Sequence, residues 1–325
     1  MIARRTTLAG AVAAPALLIA GRAAAQEVTL RAVSVFQEGT VFSKPFEAFI
    51  AKVNAEGRGL VRINFIGGPR AMPPFEVGNA LRNGVVDLIN ASGAFYDNLM
   101  PEANALKMLT IPWADVRKKP GWSLIEQLHN EKVNAHYLAR HGSEVPFHLY
   151  TTREIVGPDL RGVTIRTTPT YRAFFAALGA NLVNTPPGEV YTALERGVVA
   201  GYGWPAIGIF DLGWQERTKF RIDPAFYRVE VSLLLNNRRW QAMRPEQQVF
   251  LTQMSQWSEE NDVRETREAI AADYARMAAV GIKPIEFTGE ARERWLQVAA
   301  DAGWAEIQGV APQHTPALRK LLTEA

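Results

Sequence analysis

Polar and hydrophobic positions alternate over VRINFIG (61–67), and VTLRAVSVF (28–36) is rich in β-branched residues, which predicts two strands. Between them Phe46, Phe49, Ile50 and Val53 recur at helical spacing within 42–53, and Gly57 and Gly59 stop that helix. A short helix from about Pro74 to Arg82 follows, then an Asn83-Gly84 turn and a third strand in VVDLINA. Residues 28–90 therefore read β-α-β-α-β, the order of an open α/β sheet with helices on its faces. Residues 97–142 read as mostly helical, broken by Pro101, Pro112 and Pro120. The second half rebuilds the first: strands in VPFHLYTT (145–152) and GVTIRTT (162–168), a helix over 171–179, then NLVNT, a second short helix, and the strand VVAGYG. RVEVSLLL (228–235) is a strongly apolar strand. A long helix-rich run from Pro245 to Ala279, a short strand IKPIEF (282–287) and helices over about 290–309 and 314–323 complete the chain.

The two halves share a written unit. PPFEVGNALRNGVV (73–86) and PPGEVYTALERGVV (186–199) are identical at nine of fourteen positions without a gap, 113 residues apart. Each part has a physical use. Pro-Pro opens a helix where a missing N–H costs little. Ala-Leu faces the sheet, Gly permits a left-handed turn, and Val-Val is expected to begin a buried strand. Two copies in matching topological places imply two lobes of the same local topology. Each lobe would bind at the carboxyl ends of its strands, and a ligand would sit between them.

Residues 1–25 change the reading of charge. Arg4 and Arg5 precede an apolar run from Leu8 to Ala20 and then Ala23-Ala24-Ala25, the layout of a cleaved secretory signal. The run is too short for a stable membrane anchor. The Arg pair also fits the twin-arginine route, and the ordinary secretory route remains open beside it. The whole chain has 36 Lys+Arg against 33 Asp+Glu; removing Arg4, Arg5 and Arg22 leaves 33 against 33. A neutral mature chain has no electrostatic motive for nucleic acid. With no Cys, disulfides, a thiolate nucleophile and Cys metal sites are excluded. The spacings of His129, His136, His141 and His148 give no HExxH and no tight pair on one face, so a solvated helix is expected there and no metal site. GxSxG elbows and phosphate loops are also missing, so no cofactor is expected and no catalytic residue is assigned.

PDLRGVTIRTTPTYRAFFAALGA (158–180), PPGEVYTALERGVVAGYGWP (186–205) and NNRRWQAMRPEQQ (236–248), with LTIPW (109–113), resemble the solute-binding proteins of tripartite ATP-independent periplasmic (TRAP) transporters. The resemblance runs from about Val28 to the C-terminus. It implies an α/β, two-lobed periplasmic binding protein fold with a central ligand cleft and a long lobe-spanning helix. Residues 26–150 would form mainly lobe 1 and 151–235 mainly lobe 2, with 236–325 packing across both. It also implies a monomer, free in the periplasm, that captures a small organic acid and passes it to the small and large membrane subunits of a TRAP transporter. A ligand sensor for a receptor kinase, or a secreted enzyme acting on small acids, would use the same lobes.

Within the resemblance, Arg166 at the end of GVTIR is the expected partner of the ligand carboxylate, because a planar guanidinium offers paired hydrogen bonds. Arg153 is either a second cation for the acid or a structural partner of Asp159 or Glu154. Trp204, after the second repeat, is core or cleft wall, and Ser92 occupies the matching place after the first. Phe36 and Tyr96, with Phe95, are candidate apolar wall, and Asn237, just past a strand end, a candidate amide donor. The chain departs from the family where Ala200-Gly201 replaces a common Asp-Gly, and where Gly203-Trp204-Pro205 replaces a polar residue before the Pro. That departure points away from a second carboxylate and toward a ligand with an apolar or aromatic body.

Overall fold

The computed structural model describes residues 27–324; the expected signal segment, 1–25, lies outside the described residues. Among the described residues eleven strands form two sheets. They are β1 (Val28–Ser34), β2 (Val61–Gly67), β3 (Leu88–Ala91), β4 (Ala135–His141), β5 (Phe147–Thr151), β6 (Thr164–Thr167), β7 (Asn181–Asn184), β8 (Gly201–Pro205), β9 (Phe220–Asp223), β10 (Val231–Asn236) and β11 (Lys283–Glu286). The first sheet has the order β2-β1-β3-β10-β4 and the second β7-β6-β8-β5-β9-β11. Read from β2 and from β7, the first three strands correspond. Two parallel pairs come first, β1 with β2 and with β3, and β6 with β7 and with β8. An antiparallel strand follows in each, β10 on β3 and β5 on β8.

The sequence repeat occupies matching places in the two sheets. Each copy folds as a 3₁₀ turn, Pro74–Glu76 or Pro187–Glu189, running into a short helix, Val77–Arg82 or Val190–Glu195. Gly84 and Gly197 both take left-handed backbone, φ 75° and 67°. Only the second Val of each Val-Val is buried; Val85 and Val198 are exposed and the strands begin further on.

Three features depart from the sequence pattern or add to it. Ala135–His141, expected as helix, is β4, held in the sheet by its full pairing with β10. Phe220–Asp223 is a strand that periodicity over so few residues did not reveal. β10, in the segment expected mainly in the second lobe, pairs in the first, while β11 from the C-terminal segment pairs in the second. The chain thus crosses between lobes at 142–146, at 224–230 and again along the helix Pro245–Ala279, and Pro146 and Arg228 pair across the first two crossings.

The helix Pro245–Ala279 spans both lobes, roughly 50 Å at 1.5 Å per residue. Its first turns pack on the first lobe, with Leu251 and Met254 in that lobe's core. Midway, Asp262 accepts the N–H of Gly142 at 2.6 Å, fixing the first crossing. Its last turns meet the second lobe, where Tyr274 bonds His148 at 2.7 Å and Asp273 accepts the N–H of Gly208. Burial corrects the solvated reading of the histidines: His129, His141 and His148 are all buried.

Candidate functional site

The two lobes meet at a cleft with two joined chambers. The inner one, about 40 Å³, lies between Arg166, Tyr171 and Trp204 of the second lobe and Ser92, Phe95 and Glu230 facing them. The outer one, about 210 Å³, is bounded by Val41, Pro69, Pro186 and Leu212, with Arg70, Glu189 and Asp211 supplying its charges. Phe36, Phe42, Pro187 and Trp204 border both. The lobes touch at the mouth, where the N–H of Val41 donates to Asp211 Oδ2 at 2.7 Å and the rings of Phe42 and Trp204 meet edge-on at 6.0 Å.

Arg166 is fully buried, 0% exposed, near the carboxyl end of β6. Its Nε and Nη2 both donate to the carbonyl of Thr185, at 2.9 and 2.6 Å, and its Nη1 donates to the Tyr171 hydroxyl. Its guanidinium also lies 5.9 Å from the Trp204 ring centre. Burial lowers its pKa, and the adjoining Tyr171 counters that. No carboxylate forms an ion pair with Arg166 among the described residues. A buried cation is costly unless an anion and hydrogen bonds compensate it. Three of its five N–H groups are used, and two remain, one on each terminal nitrogen.

Gly203 explains part of this placement. A Cβ there would lie 2.9 Å from three ring atoms of Tyr171, so the absent side chain is what lets that ring lie flat on β8 and reach Arg166. Trp204 packs edge-on against Trp214 at 4.5 Å, and its Nε1 is buried without a hydrogen-bond partner among the described residues. It is therefore both core and wall.

Phe36 and Ser92 also line the cleft. Three candidates do not. Arg153 is exposed and donates to the carbonyl of Gly162 at 3.0 Å, while Asp159 pairs instead with Arg161. Asn237 opens the helix Asn237–Gln241 at the far edge of the first sheet, its N–H bonded to the carbonyl of Asn134. One cause accounts for both. Each follows the carboxyl end of a strand, β5 or β10, that runs antiparallel to its neighbour, so that end points away from the cleft. Tyr96 is the third: the 3₁₀ turn Gly93–Phe95 sends Phe95 to the cleft and Tyr96 into the core, its hydroxyl 3.2 Å from His129 Nε2.

The same antiparallel geometry brings the start of β10 to the cleft, and with it Glu230, which the sequence reading did not single out. A lone acid inside the apolar run RVEVSLLL was the available signal. Glu230 is 4% exposed; its Oε2 accepts the N–H of Gly93 at 2.7 Å and its Oε1 accepts the hydroxyl of Ser232. Burial raises its pKa, against the opposing field of Arg140 and the bonds from Gly93, Ser232 and Ser92. Among the described residues no group of three or more His, Asp or Glu side chains is placed to hold a metal ion.

Two sheets built on one strand order, a helix across both and a buried guanidinium in the cleft between them describe a solute-binding protein. The chain belongs to the bacterial extracellular solute-binding proteins, family 7, matched over residues 32–308, the family of TRAP solute-binding proteins. It is 23% identical over 325 residues, 97% of each chain, to a solute-binding protein of Roseobacter denitrificans. The solved structure of a TRAP periplasmic solute-binding protein from that organism, with bound L-galactonate, covers 92% of this chain and 99% of its own at 20% identity and TM-score 0.78. Another, from Desulfovibrio salexigens with bound orotic acid, covers 91% of this chain and 97% of its own at 17% identity and TM-score 0.82. Among the described residues no helix is long and apolar enough to cross a membrane.

Proposed function

We propose that this protein captures a small organic acid between its lobes in the periplasm, after export by a cleaved signal, and delivers it unchanged to the membrane subunits of a TRAP transporter. The observation that carries this reading is Arg166, a fully buried cation in the cleft wall with no carboxylate partner among the described residues. A ligand carboxylate would supply the missing anion and take the two unused N–H groups as a pair.

The body of the ligand is apolar or aromatic, and it carries a single carboxylate. The chambers beyond Arg166 are bordered by Phe36, Phe42, Phe95 and Trp204, whose ring faces suit stacking better than a second charge. Orotic acid, in the Desulfovibrio salexigens protein, is a ring carboxylate of this general kind. Ser92 contributes a hydroxyl from the first lobe, opposite Arg166.

A thermal-shift screen of the purified protein against aryl monocarboxylates, hydroxy acids, sugar acids and C4-dicarboxylates tests the reading, because a ligand that binds only the native state raises the melting temperature. Aryl monocarboxylates should give the largest shifts. Shifts from C4-dicarboxylates alone would overturn the ligand class, and no shift from any acid would overturn the function.

A further inference from the structure

We propose that Glu230 makes the cleft selective for carboxylic acids that carry a hydroxyl or N–H donor one or two atoms from the carboxylate. The proposal rests on the reading of Arg166 as the carboxylate partner.

The argument begins with position. Among the residues lining the inner chamber, Arg166 and Glu230 are the one cationic and the one acidic side chain, one from each lobe. The chamber is only about 40 Å³, so the ligand atoms that meet the two walls are separated by a few bonds at most. A carboxylate on Arg166 then places its α or β substituent toward Glu230.

Chemistry decides what that substituent is. A second carboxylate would face Glu230 with like charge or unpaired acceptors. A methylene would leave the buried acceptor without a partner from the ligand, which is the arrangement by which sites reject analogues lacking a donor. Each carboxylate oxygen has two acceptor sites. Gly93 N–H takes one on Oε2, the Ser232 hydroxyl one on Oε1 and the Ser92 hydroxyl a third, so one acceptor site remains for a ligand donor. Those bonds also fix the carboxyl plane. Tyr137 holds Ser232 at 2.7 Å from the other side, so the acceptor is positioned before a ligand arrives.

Glu230 also borders a small polar recess behind the chamber, with Asn104 and Lys107. Lys107 is paired with Glu306 at 3.3 Å, and Arg140 spends Nη1 and Nη2 on the carbonyls of Leu106 and Val229. Neither cation forms an ion pair with Glu230, so its carboxyl is not already committed to a salt bridge.

Isothermal titration of the purified protein with matched pairs tests this: mandelate against phenylacetate, 3-phenyllactate against 3-phenylpropionate, and indole-2-carboxylate against benzofuran-2-carboxylate. The wild type should bind the donor-bearing member of each pair about tenfold or more tightly. Glu230→Ala should bring the members of each pair to within about threefold, the donor-bearing member losing affinity and phenylacetate and its counterparts losing none, because no buried acceptor is left for them to strand. Glu230→Gln, which keeps one acceptor for Gly93 and the shape of the side chain, guards against a folding defect and should also lose most of the preference. A wild type that does not discriminate overturns the proposal. So does an equal loss for both members in either variant, which would mark Glu230 as purely structural. If no carboxylate in the panel binds, the carboxylate reading of Arg166 itself fails, and the proposal falls with it.

Discussion

Replacing Arg166 by Lys keeps a positive charge in the cleft and removes the planar fork. Arg166, which lines the chamber, spends three of its N–H groups on Thr185 O and Tyr171 and keeps two unused. An ammonium has three donors on one atom. It cannot hold the Thr185 carbonyl and the Tyr171 hydroxyl and also present two parallel donors to a carboxylate. In a closed chamber the ligand charge is then poorly paired and partly desolvated, a loss on the order of 2–5 kcal/mol, or roughly 30- to several-thousand-fold in affinity. Arg166→Ala should lose nearly all binding. The cost to folding has two parts of opposite sign. Three hydrogen bonds at about 1 kcal/mol each are lost, and a buried cation without an ion partner, itself worth several kcal/mol of desolvation, is released. The ligand-free melting temperature of Arg166→Ala should therefore stay within about 5 °C of wild type. The assay is calorimetric titration with the tightest acid from the screen, beside a melt of each free variant. If Arg166→Lys binds within about threefold of wild type, under roughly 0.7 kcal/mol, Arg166 is not the carboxylate partner.

Gly203→Ala should push Tyr171 from β8 and weaken acid binding about tenfold or more without unfolding the protein, as titration and a melt would show; unchanged affinity would mean Tyr171 does not position Arg166. Burial raises the Asp262 pKa to about 7. The native state therefore holds a proton that the unfolded chain, near pKa 3.9, has lost, and this contribution to stability is full below about pH 4 and is lost as pH rises through about 7. Asp262→Asn, which still accepts from Gly142, should be more stable than wild type at pH 8 by up to roughly 4 kcal/mol and equal to it at pH 4, read as melting temperature against pH. The neutral buried His129 and His141, held down to about 4 and about 3, act in the opposite sense but equally in both proteins, so they cancel in the difference. A gap that does not change with pH would contradict the assignment. Saturating acid should reduce the radius of gyration in small-angle scattering, and Asp211→Ala, which removes the contact with Val41, should weaken binding severalfold; an unchanged radius with binding confirmed would argue for a cleft already closed without ligand.

The sequence carried the strands of the parallel half of each sheet and, of the rest, β5, β10 and β11 but neither β4 nor β9. The repeat at 73–86 and 186–199 encodes turn-helix-turn-strand units whose signals are local, and they fold in matching places. Ser92 and Trp204 follow those units and Arg166 lies on β6, the parallel strand beside β8, and all three line the cleft. Strand direction in the sheet is a long-range property that periodicity does not record. Arg153 and Asn237 follow strands that run antiparallel to their neighbours, so they leave the cleft, and the same reversal brings Glu230 into it. AHYLARH at 135–141 has no period-2 pattern because its residues are nearly all buried, between the sheet's neighbours and the long helix. Tyr96 and Phe95 differ only in which way a single 3₁₀ turn aims them, which no pattern in GAFY distinguishes.

A crystal structure of the protein with the acid that gives the largest thermal shift tests the central claim most directly. The account predicts the ligand carboxylate against Arg166, with two oxygens within about 3.1 Å of its two terminal nitrogens, and the body of the ligand between Phe36 and Trp204. A carboxylate bound elsewhere in the cleft, with Arg166 bonded only to Thr185 and Tyr171, would contradict it.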